Sequence, residues 1–214
     1  SPYIGNECDV LPSARQMFER DWLPNDWYLN LEIPYRLLFN SLLGPLVSSL
    51  GFHSAAVIGR LLIWAFFACA LYSLFTVLGL RLLLMLLVAA QFVMHESLVA
   101  GEWVIIGAET KSIAYAFALL ALASFLKKRY LSGFAFTGAA LSFHVLAGAF
   151  SLFSVAAALL LNGDLRRGHW HSVLASIWIL PLTGAFGLFA IVDRLRAVAF
   201  EDSALASLIY VRLG

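Results

Sequence analysis

"YLSGFAFTGAALSFHVLAGAFSLFSVAAALLL", residues 130–161, is a run of 32 residues with no acid, no lysine and no arginine, and a single histidine near its middle. As one helix it would extend about 48 Å, well beyond the roughly 30 Å of hydrocarbon in a bilayer. The flanking charges decide between one helix and two. Lys127-Lys128-Arg129 precedes the run and Arg166-Arg167 follows it. Basic clusters collect on the cytoplasmic side of membrane proteins. A single long helix would separate the two clusters, whereas two short helices return the chain to the same side. The expectation is therefore a pair, 131–142 and 145–161, turning near Phe143-His144, each about 18–26 Å long. Helices that short need a turn that is buried in protein or lines a wet cavity.

The rest of the chain agrees with a membrane setting. Of its 214 residues 62% are apolar and 13% charged, with a mean hydropathy of +0.87, against about 45–50% and 25% in soluble domains. Further spans are expected at 54–80, 82–100, 112–126 and 171–192, the last interrupted by Pro181. The fold class expected is all-α integral membrane, a polytopic helical bundle with extracytoplasmic interfacial helices. No signal peptide is visible, and both ends read as cuts in a longer membrane protein. The net charge of +1 points to no partner class, and nothing points to nucleic acid. Cys8 and Cys69 are too few for a disulfide framework.

Residues 1–53 are different. They hold six acids and three arginines, and form the expected extracytoplasmic segment. Pro12-Ser13 can open a short helix to about Arg20. Apolar residues at helical spacing from Ile33 to Leu50, broken at Gly44-Pro45, predict an interfacial helix pair. With the basic clusters inside, 1–53, 101–111 and 193–214 all lie outside, so three parts of the chain bring carboxylates to one face.

Within "DWLPNDWYLN" (21–30), Asp26 reads in two ways. It is a base or acceptor-orienting anion at the membrane surface, or a turn and helix cap in an aromatic belt of Trp22, Trp27 and Tyr28. Within "GEWVIIGAETK" (101–111), Glu102 and Glu109 could bind a metal, a sugar hydroxyl or a basic residue. Alternatively Glu109 is a first-turn acid favoured by the next helix dipole, neutralised by Lys111. His95, Glu96 and His144 are ionisable groups at membrane depth. There is no HExxH, no zinc spacing, no Walker motif and no GxGxxG.

Three stretches carry a resemblance to a known superfamily: "NECDVLPSARQMFERDWLPNDWYLN", "GEWVIIGAETKSIAYAFALLALA" and "LSFHVLAGAFSL". The chain resembles the GT-C superfamily of multi-pass glycosyltransferases, and is most similar to uncharacterised bacterial members. The resemblance implies transfer of a sugar from a polyprenyl-phosphate carrier to an extracytoplasmic acceptor, in the bacterial inner membrane. It implies catalytic roles for Asp26 (Asp21 next in order) and Glu109, and substrate binding by Glu102, Lys111, His144, Trp27 and Arg60. It also implies helices before and after this segment. Arg60, Lys111 and Arg212 are the outside-facing cations for a leaving phosphate, and a divalent metal stays open. Two other functions fit the residues: a non-catalytic membrane subunit on the same scaffold, with other membrane subunits as partners, and a transporter with short broken helices. The absence of an internal repeat weighs against the transporter.

Overall fold

The computed structural model describes residues 6–30, 36–95, 104–161 and 169–196. All regular structure among them is helical. The elements are α1 (Glu7–Phe18), α2 (Leu37–Val77), α3 (Leu82–His95), α4 (Thr110–Leu126), α5 (Tyr130–Phe143), α6 (Val145–Leu161), α7 (Trp170–Ile177), α8 (Ile179–Thr183) and α9 (Ala185–Arg196).

Helix α2 is two limbs joined at Gly51, whose φ of 75° and ψ of 167° are non-helical. Only glycine enters that region without steric cost, so the chain bends there. Gly44-Pro45, expected to be the break, is passed without interruption. Gly44 serves a contact instead. A Cβ there would come within 2.7 Å of the Ala14 carbonyl oxygen and 2.9 Å of Phe18 Cβ, so its missing side chain lets α1 lie directly on the first limb. Val10, Leu11, Ala14, Leu43 and Val47 are the buried residues of that contact. The helix pair is thus α1 with residues 37–50. Helix α1 itself begins at Glu7, five residues before the expected Pro12 start, because Asn6 supplies the carbonyl that accepts from Asp9 and Val10 N–H.

The second limb, 52–77, runs beside α4. Gly59 sits against Ala108, while Phe67 and Ala70 further along pack with Ala116. Helix α5 returns antiparallel to α4: Phe117 stacks on Phe143 at one end, and Phe125 meets Tyr130 and Phe134 at the other. The chain breaks at His144, where φ is −151° and ψ is 108°. Helix α6 then runs back, so that Val155 and Leu159 pack on Tyr130, Phe134 and Val173. Close approach around the turn depends on small residues. A Cβ on Gly148 or Gly187 would lie 2.2 Å from Leu141 backbone atoms.

One end of the bundle therefore collects α1, Arg36, the start of α4 and the His144 break. The other collects the ends of α2, α4 and α6 with Lys127, Lys128, Arg129 and His169. Among the described residues one helix, α2, is long and apolar enough to cross a membrane, or two segments if the α7–α8 and α9 pair, bent by 66°, counts as one. Only 33% of the most apolar stretch of α2 is buried. Helix α3 buries none of its residues, leaving Leu82, Leu83, Leu86, Leu87, Val93 and Met94 exposed.

Candidate functional site

The charged end of the bundle is built on the first turn of α1. Glu7 is fully buried. Its carboxylate accepts from Arg60 Nε at 2.6 Å and from Arg60 Nη2, and it also accepts from the Ala108 backbone N–H at 2.8 Å. One side chain thus ties α1 to the second limb of α2 and to the loop before α4. That loop is also fixed by Trp64 Nε1, which donates to the Ile105 carbonyl at 2.6 Å, and by Ser112 Oγ, which donates to the Val104 carbonyl.

Two further pairs surround the first. Asp9 accepts from Arg36 Nη1 and from the Tyr28 hydroxyl at 2.5 Å. Glu109 accepts from the Asn6 backbone N–H at 3.1 Å and lies 3.2 Å from Lys111 Nζ. Anions are favoured at a helix N-terminus, and Glu109 occupies that position for α1 while preceding α4. Three acids and three bases from three chain segments therefore meet at one end of the bundle. At their centre is a polar cavity of about 120 Å³, lined by Asn6, Val10, Arg36, Glu109, Thr110, Lys111 and His144. Pockets that enclose whole small molecules run to roughly 300–1,000 Å³. This one has room for a single oxygen-rich group.

His144 enters the cavity from the α5–α6 break. Its Nδ1 accepts from the Ala147 backbone N–H at 3.2 Å, which caps α6. With Nδ1 accepting, a neutral ring carries its proton on Nε2.

The stretch 21–30 is a hydrogen-bonded loop. Leu23–Asp26 is a turn closed by Asp26 N–H donating to the Leu23 carbonyl at 3.2 Å, with Pro24-Asn25 at its corners. Asp26 Oδ1 then accepts from Tyr28 N–H at 3.0 Å and Leu29 N–H at 2.9 Å. Asn30 Nδ2 bonds the Leu23 and Asp26 carbonyls, and the buried Gln16 ties the loop to α1 by accepting from Leu23 N–H and donating to Asn30 Oδ1. Asp26 is not among the residues lining the polar cavity. The loop delivers Tyr28 to Asp9.

The sequence-derived residues fall into three groups. Glu109, Lys111 and His144 share the cavity, and Arg60 lies next to it through Glu7. Asp26 caps its own turn, and Trp27 is 77% exposed, edge-on to Tyr28. Glu102, Glu96 and Arg212 lie outside the described residues. Missed in the sequence were Asn6, Glu7, Asp9, Tyr28 and Arg36. The available signal was Arg60: an arginine in an apolar helix needs an acid, and residues 1–53 hold twice as many acids as arginines. Among the described residues no three His, Cys, Asp or Glu side chains group to hold a metal ion. No protein-family profile, curated protein or solved structure matches the chain.

Burial pushes the Asp9 carboxyl upward, but the Tyr28 hydroxyl and the Arg36 guanidinium outweigh it and hold the group below its ordinary value of 3.8. A carboxyl lowered on folding contributes stability that is present above the unfolded value and lost as pH falls through the folded one. Acidification below about pH 4 should therefore loosen Tyr28 and Arg36 from Asp9, with the 21–30 loop still tied to α1 by Gln16. Tryptophan emission, reporting Trp22 on Phe52 and Trp27 on Tyr28, should show an acid transition. Asp9→Asn should remove it, and an unchanged transition in that variant would assign it to another group.

Proposed function

We propose that the chain is part of a membrane glycosyltransferase of the GT-C type, with the Glu109–Lys111–His144 cavity as its reaction centre on the extracytoplasmic side. The observation that carries this reading is the delivery of a carboxylate, two cations and an imidazole from separate chain segments to one polar cavity at one end of an apolar bundle. Transfer from a polyprenyl-phosphate sugar needs a base for the acceptor hydroxyl and positive charge near the departing phosphate. Glu109 is assigned the first task, and Lys111 with Arg36 the second. His144 Nε2–H would orient the acceptor or phosphate oxygen. The cavity size suits one hydroxyl or phosphoryl group, with the remainder of each substrate lying outside it.

A bilayer setting is supported by the surface. Contiguous exposed apolar area beyond a few hundred Å² marks an interaction or membrane surface, and α3 exposes apolar side chains on every face but the one that Phe92 turns to Phe67. Charge placement supports a polytopic arrangement. His144 and the acids gather at one end, and Lys127-Lys128-Arg129 at the other.

A second reading is favoured by a specific observation. Glu7, Asp9 and Glu109 are each already matched with a base, which is what a structural staple in a non-catalytic membrane subunit would look like.

Two measurements test the proposal. In the full-length protein with Cys8 and Cys69 replaced by serine, a cysteine at Trp27 should react with impermeant maleimide from outside, and one at Lys128 only from the cytoplasm. Reaction of both from the same side would dismantle the topology. Reconstituted full-length protein should transfer labelled sugar from a polyprenyl-phosphate donor. Correct topology with no transfer from any such donor would leave the subunit reading in its place.

A further inference from the structure

A second cavity runs from near the charged cluster, at Val104 and Ala147, to the opposite end of the bundle, at Lys128 and His169. It is a cleft of about 1430 Å³ with α4 as its floor, α3 and the end of α2 on one side, and α6 on the other. Leu71, Leu87, Leu119, Leu122, Phe150 and Leu159 are among the apolar side chains that line it. Its volume exceeds that of pockets for small polar metabolites. Along α4 it extends from Tyr115 to Leu126, about 17 Å at 1.5 Å per residue. That is close to one leaflet, half of the roughly 30 Å hydrocarbon layer.

The mouth is polar and cationic. Lys128 Nζ lies 3.3 Å from His169 Nε2, and among the described residues no carboxylate pairs with either. Lys128 is held at a φ of 57°, the left-handed region disfavoured for side-chain-bearing residues, in the turn from α4 to α5. Tyr130, 4% exposed, lines the same end, and its hydroxyl is buried without a hydrogen-bond partner. An unpaired buried hydroxyl costs about 1–3 kcal/mol. An ammonium, an imidazole and an unsatisfied hydroxyl therefore converge where an apolar cleft opens, and an oxygen-rich anion would answer all three.

We propose that this cleft seats one anionic glycerophospholipid of the cytoplasmic leaflet, its acyl chains along α4 between α3 and α6 and its phosphate at Lys128, His169 and Tyr130. The occupant is a bilayer lipid rather than a soluble anion because the cleft wall is mostly apolar over about a leaflet's depth, with Gln91, Ser151 and Ser154 interspersed. The phosphate position at Lys128 and His169 lies at the far end of the bundle from Glu109, so it is separate from the reaction centre. It rests on the membrane reading above but not on the transferase reading.

Native mass spectrometry of the detergent-purified chain tests it, with dioleoylphosphatidylglycerol and dioleoylphosphatidylcholine as probes. One phosphatidylglycerol should be retained, roughly five- to tenfold more tightly than phosphatidylcholine, the scale set by one or two basic groups at a membrane surface. Lys128→Asn should narrow that preference to about twofold, and asparagine tolerates the same left-handed backbone. Ala158→Trp, which fills the cleft, should lose both lipids. Equal retention of the two lipids, an unchanged preference in Lys128→Asn, or no retained lipid would each overturn the proposal. Carbonate washing separates the two failures. A chain that stays in washed membranes without a phosphatidylglycerol preference loses only this site, and a chain released to the aqueous fraction loses the membrane reading as well.

Discussion

Arg60→Met is expected to lower the unfolding free energy by about 3–4 kcal/mol, at the lower end of the range seen when one partner of a buried ion pair is removed. The reason is Glu7. Its carboxylate is fully buried, and without Arg60 the Ala108 N–H would be its main remaining donor among the bonds described above. Taking up a proton instead costs an ordinary glutamate about 3.7 kcal/mol at pH 7, which caps the loss near that figure and makes it smaller at pH 5. Met approximates the length of the arginine stem, so packing against Gly59 and its neighbours changes little.

Glu7→Gln should cost less, because the amide keeps a carbonyl oxygen for Ala108 N–H and Arg60 retains 13% side-chain exposure through which water can reach it. The double variant Glu7→Leu with Arg60→Met should recover most of the loss, since a buried pair replaced by apolar groups is often neutral or better. Thermal unfolding in detergent at pH 7 and pH 5 measures the cycle. A loss below about 1 kcal/mol for Arg60→Met would mean that the Glu7–Arg60 pair adds little to the hold on α1.

The same cluster shows which parts of the molecule could be read from sequence. The apolar runs 112–126 and 145–161 announce their helices because no charge interrupts them, and His144 stands out as the one histidine in a run, 130–161, with no acid, lysine or arginine. Gly44-Pro45 misled, since glycine and proline together are the loudest breaking signal. The actual bend is at Gly51, a glycine with no proline beside it, because the bend needs a positive φ, whereas Gly44 is needed for the approach of α1.

Glu109 and Lys111 were visible because charge is conspicuous next to an apolar helix. Glu7 and Asp9 were not, because they lie in a polar segment where acids are ordinary and their arginines are 53 and 27 residues away. Asp26 drew attention by its aromatic neighbours, but an aspartate after Pro-Asn has a local use, and here its Oδ1 takes two backbone N–H groups of the following turn.

Glu109→Gln in the full-length protein should lower sugar transfer by about 10²–10⁴-fold, the usual contribution of a positioned general base. Glutamine keeps the acceptor oxygen for the Asn6 N–H, so α1 stays docked, but it cannot take the proton of an acceptor hydroxyl. Asp26→Asn should change transfer by less than about tenfold, because Asn Oδ1 can accept the same two N–H bonds that Asp26 Oδ1 accepts now. If Asp26 is the base instead, the order of the two variants reverses while both proteins fold normally. The subunit reading makes a separate demand. There the Glu109–Lys111 pair, 3.2 Å apart, matters only as a neutralised pair, so Glu109→Gln would be corrected by adding Lys111→Gln. Under the transferase reading the second change removes a cation from the departing phosphate and deepens the defect. Transfer rate in the single and double variants, with melting temperature as the folding control, separates the three cases: a base at Glu109 requires a large loss in the single variant and no rescue in the double.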